Sequence, residues 1–175
     1  MRLAIAMGMV LAALAGCDGG APMGQPARLA TLAFDAPAGW HGVQSDRPGL
    51  ATVVWTPDDN TRKESVTVIR TEQSPVVAAA GTPVLEDALT RAQGSLFAAK
   101  VGEAQHVTTG RGLAGVRIEL DYVPPGQTAH YHRAHAVVAI GTTLVHVLYT
   151  AAEPDQDLAA FSMVLNTLRA EEVRS

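Results

Sequence analysis

Val116, Ile118, Leu120 and Tyr122 alternate with Arg117, Glu119 and Asp121, the period of a strand with one face on a core and one in water. Shorter runs of strand-forming residues lie on either side of it. Leu29 to Asp35, Leu50 to Thr56 and Ser65 to Glu72 read as strands. The last two are separated by the turn cluster Pro57-Asp58-Asp59-Asn60 and are expected to pair antiparallel. Glu103 to Gly110 is a weaker strand that stops at Gly110-Arg111-Gly112. After the turn Pro124-Pro125-Gly126-Gln127 come Thr128 to Ile140 and Thr143 to Thr150, joined through Gly141-Thr142 as a tight hairpin.

Two stretches change to helical spacing. Leu85, Ala88, Leu89, Ala92, Leu96 and Phe97 recur at intervals of three and four, from Thr82 and Pro83 at the start to about Lys100. Leu158, Phe161, Leu165 and Leu168 repeat the pattern after Pro154, as far as about Ala170. The order of elements predicts an α+β domain over residues 29–170: a twisted, mainly antiparallel sheet of about six to seven strands with two principal helices packed on it. Residues 171–175 are a charged tail. Roughly 145 residues suit one domain of ordinary size.

The first residues have a different character. Arg2 precedes an uncharged run from Leu3 to Leu14, then small residues, then Cys17, the layout of an export signal. A permanent membrane helix needs about 20 apolar residues, more than this run supplies. Leu14-Ala15-Gly16-Cys17 resembles a bacterial lipobox. The resemblance implies removal of residues 1–16, lipid attachment at Cys17 and tethering to a membrane on the periplasmic side of the cell envelope. Residues 17–28, rich in Gly, Pro and Ala, then read as the lipidated cysteine and a flexible spacer. Cys17 is the only cysteine, so the folded part depends on its core without a disulfide. Loss of Arg2 leaves 12 basic against 17 acidic residues, a formal charge of −5. That balance argues against nucleic acid as a partner.

The strand and Pro-x-Gly-Trp segment from Phe34 to Trp40, the long central meander and the closing Leu165-Asn166-Thr167-Leu168-Arg169 resemble the PsbP-like superfamily, which includes DcrB-type and mycobacterial small lipoproteins. The resemblance implies an antiparallel sheet flanked by helices and an accessory role without catalysis.

The chemistry on offer is mostly histidine. With a four-residue loop at Pro124 to Gln127, Asp121 stands opposite His130 and Glu119 opposite His132 on the wet face. Two imidazoles and two carboxylates suit a divalent metal such as Zn²⁺, and equally suit plain cross-strand pairing. With a two-residue loop at Gly141-Thr142, His135 faces Leu148 and Val137 faces His146. That makes the two histidines diagonal neighbours, expected to be buried and hydrogen-bonded. Trp40 and Trp55 are expected in the core. No Gly-x-Ser-x-Gly elbow, P-loop or dinucleotide fingerprint is present, and no other catalytic motif emerges. Three functional classes follow: a non-catalytic binding module for another envelope protein, a periplasmic metal-binding protein using His130, His132, Glu119 and Asp121, and an immunity-type lipoprotein. The strand Glu103 to Gly110 is expected to be an open edge available for strand addition.

Overall fold

The computed structural model describes residues 24–59, 62–73, 82–93, 100–153 and 157–171. Among them are eleven strands and only two helices, so the expected α+β domain is instead a β-rich one. The strands are β1 (Gly24–Leu29), β2 (Leu32–Pro37), β3 (Trp40–Arg47), β4 (Leu50–Pro57), β5 (Glu64–Glu72), β6 (Lys100–Val101), β7 (Gln105–Thr108), β8 (Ala114–Tyr122), β9 (Tyr131–Ile140), β10 (Thr143–Ala152) and β11 (Arg169–Ala170). The helices are α1 (Thr82–Gln93) and α2 (Ala159–Thr167). Eight strands form one antiparallel sheet in the order β3-β4-β5-β10-β9-β8-β6, with β7 also on β8, and β1-β2-β11 form a second, small one.

The extra strands come from segments without an apolar period. Gly24 to Arg28, expected to be spacer, pair with β2 as β1, so the folded domain begins before Leu29. Trp40 to Arg47 carry Gly42 and five polar or charged side chains, yet the hairpin closed by Pro48-Gly49 aligns them with β4. Pro48 presets the first loop position, and Gly49, at φ 75°, takes the left-handed second position. The second helix is shorter than the spacing predicts, and the first is described only as far as Gln93. Leu85 and Leu89 are buried as expected, but Leu96 and Phe97 lie outside the described residues, and Lys100 is already in β6. In α2 the helix stops at Thr167, because Leu168 turns extended (φ −59°, ψ 128°) and Arg169–Ala170 pair with β2.

Strand alternation gives the large sheet two apolar faces. On one, Val53, Val66, Val68, Ala136, Val145 and Val147 pack against Leu29, Leu32 and Phe34 of the small sheet and Phe161, Val164 and Leu168 of the closing segment. This is the main core. On the other, Leu85 and Leu89 of α1 cover Val116, Ile118, Val137 and Leu144. Trp40 and Trp55 are half-buried at the margin of the main core.

Ala30, in the two-residue link between β1 and β2, is the one described non-glycine residue with positive φ, at 52°. A Cβ in that region costs on the order of 1 kcal/mol. Ala30→Gly is therefore expected to raise stability by about 0.5–1 kcal/mol, read as a higher urea midpoint at unchanged slope. Phe161→Ala should lower it by about 3–5 kcal/mol, because Phe161 is fully buried where α2 meets the large sheet.

Candidate functional site

The strongest gathering of polar chemistry lies at one end of the large sheet, where β3 and β4 reach Trp40 and Pro57 and β5 starts beside the end of β10. A cleft of about 400 Å³ opens there, lined among others by His41, Thr56, Arg62, Lys63, Glu64 and Tyr131. A smaller pocket of about 160 Å³ touches the same Arg62 and Glu64 and is bounded by Trp40, Asp157 and Ala160. Glu64 thus stands in the wall between two hollows.

Glu64 is 6% exposed, since β5 alternation places it on the same buried face as Val66 and Val68. Its carboxylate accepts a hydrogen bond from the Tyr149 hydroxyl at 3.0 Å and faces the Arg62 guanidinium at 3.5 Å. The Asp157 backbone N–H donates to the same Tyr149 oxygen at 2.8 Å, tying the segment before α2 to the cluster. Burial pushes the Glu64 carboxyl above its ordinary value, and the Tyr149 and Arg62 bonds hold it back. Burial also pushes the Tyr149 hydroxyl up. Burial and hydrogen bonding thus oppose each other at this carboxyl.

At the rim, His41 is oriented from both sides. Its Nδ1 lies 3.0 Å from Asp58 Oδ1 and its Nε2 lies 3.1 Å from Thr56 Oγ1. Carboxylate, imidazole and hydroxyl in that order have the connectivity of a proton relay. Here the His41 and Asp58 side chains are 56% and 61% exposed, so bulk water competes for every proton such a relay would handle. We read the three as a polar network that fixes the imidazole at the cleft mouth.

The histidines singled out in the sequence fall elsewhere. The connection between β8 and β9 runs through residues 123–130, eight residues and not four, so Asp121 faces His132 and Glu119 faces Ala134. The shift of two keeps the faces and changes the partners. His132 Nδ1 lies 2.8 Å from Asp121 Oδ1, and its Nε2 lies 3.3 Å from Glu119 Oε2. Arg117 also pairs with Glu119 and places its guanidinium 5.2 Å from the Phe161 ring centre. His130 is exposed outside the strand, its backbone oxygen accepting from the Glu153 N–H at 3.0 Å. The structure therefore brings His132, Glu119 and Asp121 together and leaves His130 out. Among the described residues no three His, Cys, Asp or Glu side chains are grouped to hold a metal ion. The face expected to be wet is partly roofed by α2.

His135 and His146 are the diagonal pair that the loop count gave, with His135 opposite Leu148 and His146 opposite Val137. His135 Nε2 and His146 Nδ1 are 3.1 Å apart, so each is the other's partner. Burial, with His146 and Arg133 adding positive repulsion, lowers the His135 imidazole to about 3. Burial lowers His146 as well.

The chain around Glu64 went unread in the sequence because it joins positions from 41 to 157 through strand register. One local signal was present: Glu64 is two residues before Val66 and four before Val68, on the face that must be buried.

These shifts give two expectations of opposite sign. A histidine kept neutral in the fold contributes stability that is whole above pH 6.5 and is lost as pH falls from there toward about 3. At pH 5 the loss is about 2 kcal/mol, and His135→Gln, whose amide can still bond His146, should flatten urea midpoints over that window. A carboxyl raised in the fold costs stability as pH climbs above its unfolded value near 4.5. Glu64→Gln should therefore gain on the natural chain as pH rises above 4.5 in the same titration, with no advantage below 4.5.

No protein-family model matches the chain, and no curated protein matches it at a significant level. Among solved structures, one from Bacteroides thetaiotaomicron VPI-5482 superposes with a TM-score of 0.60 at 12% identity, covering 83% of this chain and 47% of that one. The match spans about half the length of that protein, and at such identity it is a likeness of fold alone. A protein of unknown function from Pseudomonas aeruginosa is 14% identical over 75% of this chain and 85% of its own, with a TM-score of 0.46.

Proposed function

We propose that the chain is a lipid-anchored protein of the bacterial cell envelope, a non-catalytic binding module facing the periplasm that engages another envelope protein. The observation that carries this reading is the uncharged run from Leu3 to Leu14 ending in Leu14-Ala15-Gly16-Cys17, which fits lipid attachment at Cys17. The PsbP-like resemblance, with its accessory role, belongs to the same proposal. The cleft around Glu64 is the contact surface in this reading. It presents Arg62 and Lys63 beside the acids Asp59 and Glu64, with Arg62 paired to Glu64, and the oriented imidazole of His41. Such a surface suits a partner loop carrying a carboxylate and hydrogen-bond donors, since charge complementarity gives selectivity at modest area.

Two measurements test the halves separately. Cys17→Ser should move the protein from the membrane fraction to the soluble fraction of its own cells and abolish lipid labelling; unchanged membrane association would sink the anchor. Arg62→Glu together with Lys63→Glu, in the anchored and folded protein, should reduce recovery of the envelope partner on affinity purification by about tenfold or more. Equal recovery would remove the cleft from the reading.

A further inference from the structure

The large sheet ends differently on its two sides. One side is finished by β6 and β7, of two and four residues, while the other is β3, eight residues long with β4 as its only sheet neighbour among the described residues. The edge expected at Glu103 to Gly110 is thus the shorter one. Every residue of β3 from His41 to Arg47 is exposed, and Val43, 65% exposed, is the more open of the two large surface hydrophobics, the other being Val101.

The hydrogen-bond phase of β3 is known. The Asp58 N–H bonds to the Gly39 oxygen at 2.9 Å, so by strand alternation His41, Val43 and Ser45 turn their backbone groups toward β4. Gly42, Gln44 and Asp46 turn theirs outward. At Gly42 the strand has no side chain, and an added Cβ would stand 2.8 Å from the Trp55 ring, which lies across the glycine. An exposed edge of eight residues is a template for another strand.

We propose that β3 is a self-association surface, on which a second copy of this chain docks by antiparallel β3 pairing about a twofold axis at Val43. Antiparallel pairing must set outward-turned residues opposite one another, which leaves three central registers, on Gly42, Val43 or Gln44. The Val43 register brings the two exposed valines together in a non-hydrogen-bonded pair, the closer kind. It also sets the long Gln44 opposite Gly42 and the long Arg47 opposite Gly39, so each long side chain meets a glycine. Arg47 then points over Gly39 toward Asp58, which follows β4 and bonds Gly39 through its backbone and His41 through its carboxylate, and the twofold axis makes this charge match twice. The Gln44 register would oppose His41 to Arg47 and leave Val43 against Ser45. The Gly42 register would put Val43 against His41. The sequence of one strand therefore selects its own register, and pairing joins two eight-stranded sheets into one.

The test uses the full chain with Cys17→Ser, so that an introduced thiol stands alone. Val43→Cys should form a disulfide dimer under mild oxidation about tenfold faster than Val101→Cys on the opposite edge, because paired strands hold the sulfurs within bonding range. Gln44→Cys should behave like Val101→Cys, since Gln44 faces Gly42 and not itself. Gln44→Pro removes only an outward N–H and leaves the β4 ladder intact, so it should sediment as a monomer with unchanged circular dichroism where the natural strand gives a dimer. A natural strand that sediments as a monomer up to about 100 μM, equal crosslinking of Val43→Cys and Val101→Cys, a dominant Gln44→Cys dimer, or a Gln44→Pro dimer would each overturn the proposal.

Discussion

The structure depends on one contact: the valine-rich face of β4, β5, β9 and β10 against the small sheet and α2. The chain has one cysteine and therefore no internal disulfide, so this apolar burial has to hold the domain. Its geometry is set by side-chain size. Ala134, Ala136, Ala151 and Ala160 are small residues that let the layers approach, while Phe34, Phe161 and Tyr149 fill the remaining space. Alternating small and large side chains in this way packs two layers without voids. The second apolar face is narrower, since α1 covers only β8, β9 and the start of β10. The rest of that face is half-buried, and toward β3 it is open.

That asymmetry positions the polar chemistry. At the start of β5, beside the end of β10, Glu64 and Tyr149 meet within the buried layer as a bonded pair. The pair satisfies groups that would otherwise cost free energy in the interior, and it fastens the residue before α2 through the Asp157 N–H.

Legibility in the sequence followed how strongly each segment's own pattern agrees with its place. The β8 alternation and the β9–β10 hairpin were readable, because a one-sided strand and a two-residue Gly141-Thr142 loop each leave little freedom. The His135–His146 pair followed from that loop by counting. The β8–β9 register did not, because Pro124-Pro125-Gly126-Gln127 reads as a complete hairpin turn while the strand resumes only at Tyr131. The Pro124–Gln127 bond at 3.1 Å does close a turn, so the signal was real and the length was wrong. β1 and β3 were unreadable for another reason. Their Gly-containing, largely polar sequences are held as strands by β2 and β4, a tertiary effect that no local preference records. With those strands missed, the two helical stripes weighed too heavily and the domain was expected to be α+β.

β10 shows how both faces of the sheet reach the same balance. His146 lies on its α1 side and Tyr149 on its main-core side, three residues apart on opposite faces. Each belongs to a buried ionisable pair, His135 with His146 and Glu64 with Tyr149, and in each pair burial favours the neutral form. Neutral histidine is favoured toward high pH and neutral carboxyl toward low pH. Acidification below 6.5 therefore costs the fold at the histidines, whereas deprotonation above 4.5 costs it at Glu64. The two slopes oppose each other along a single strand.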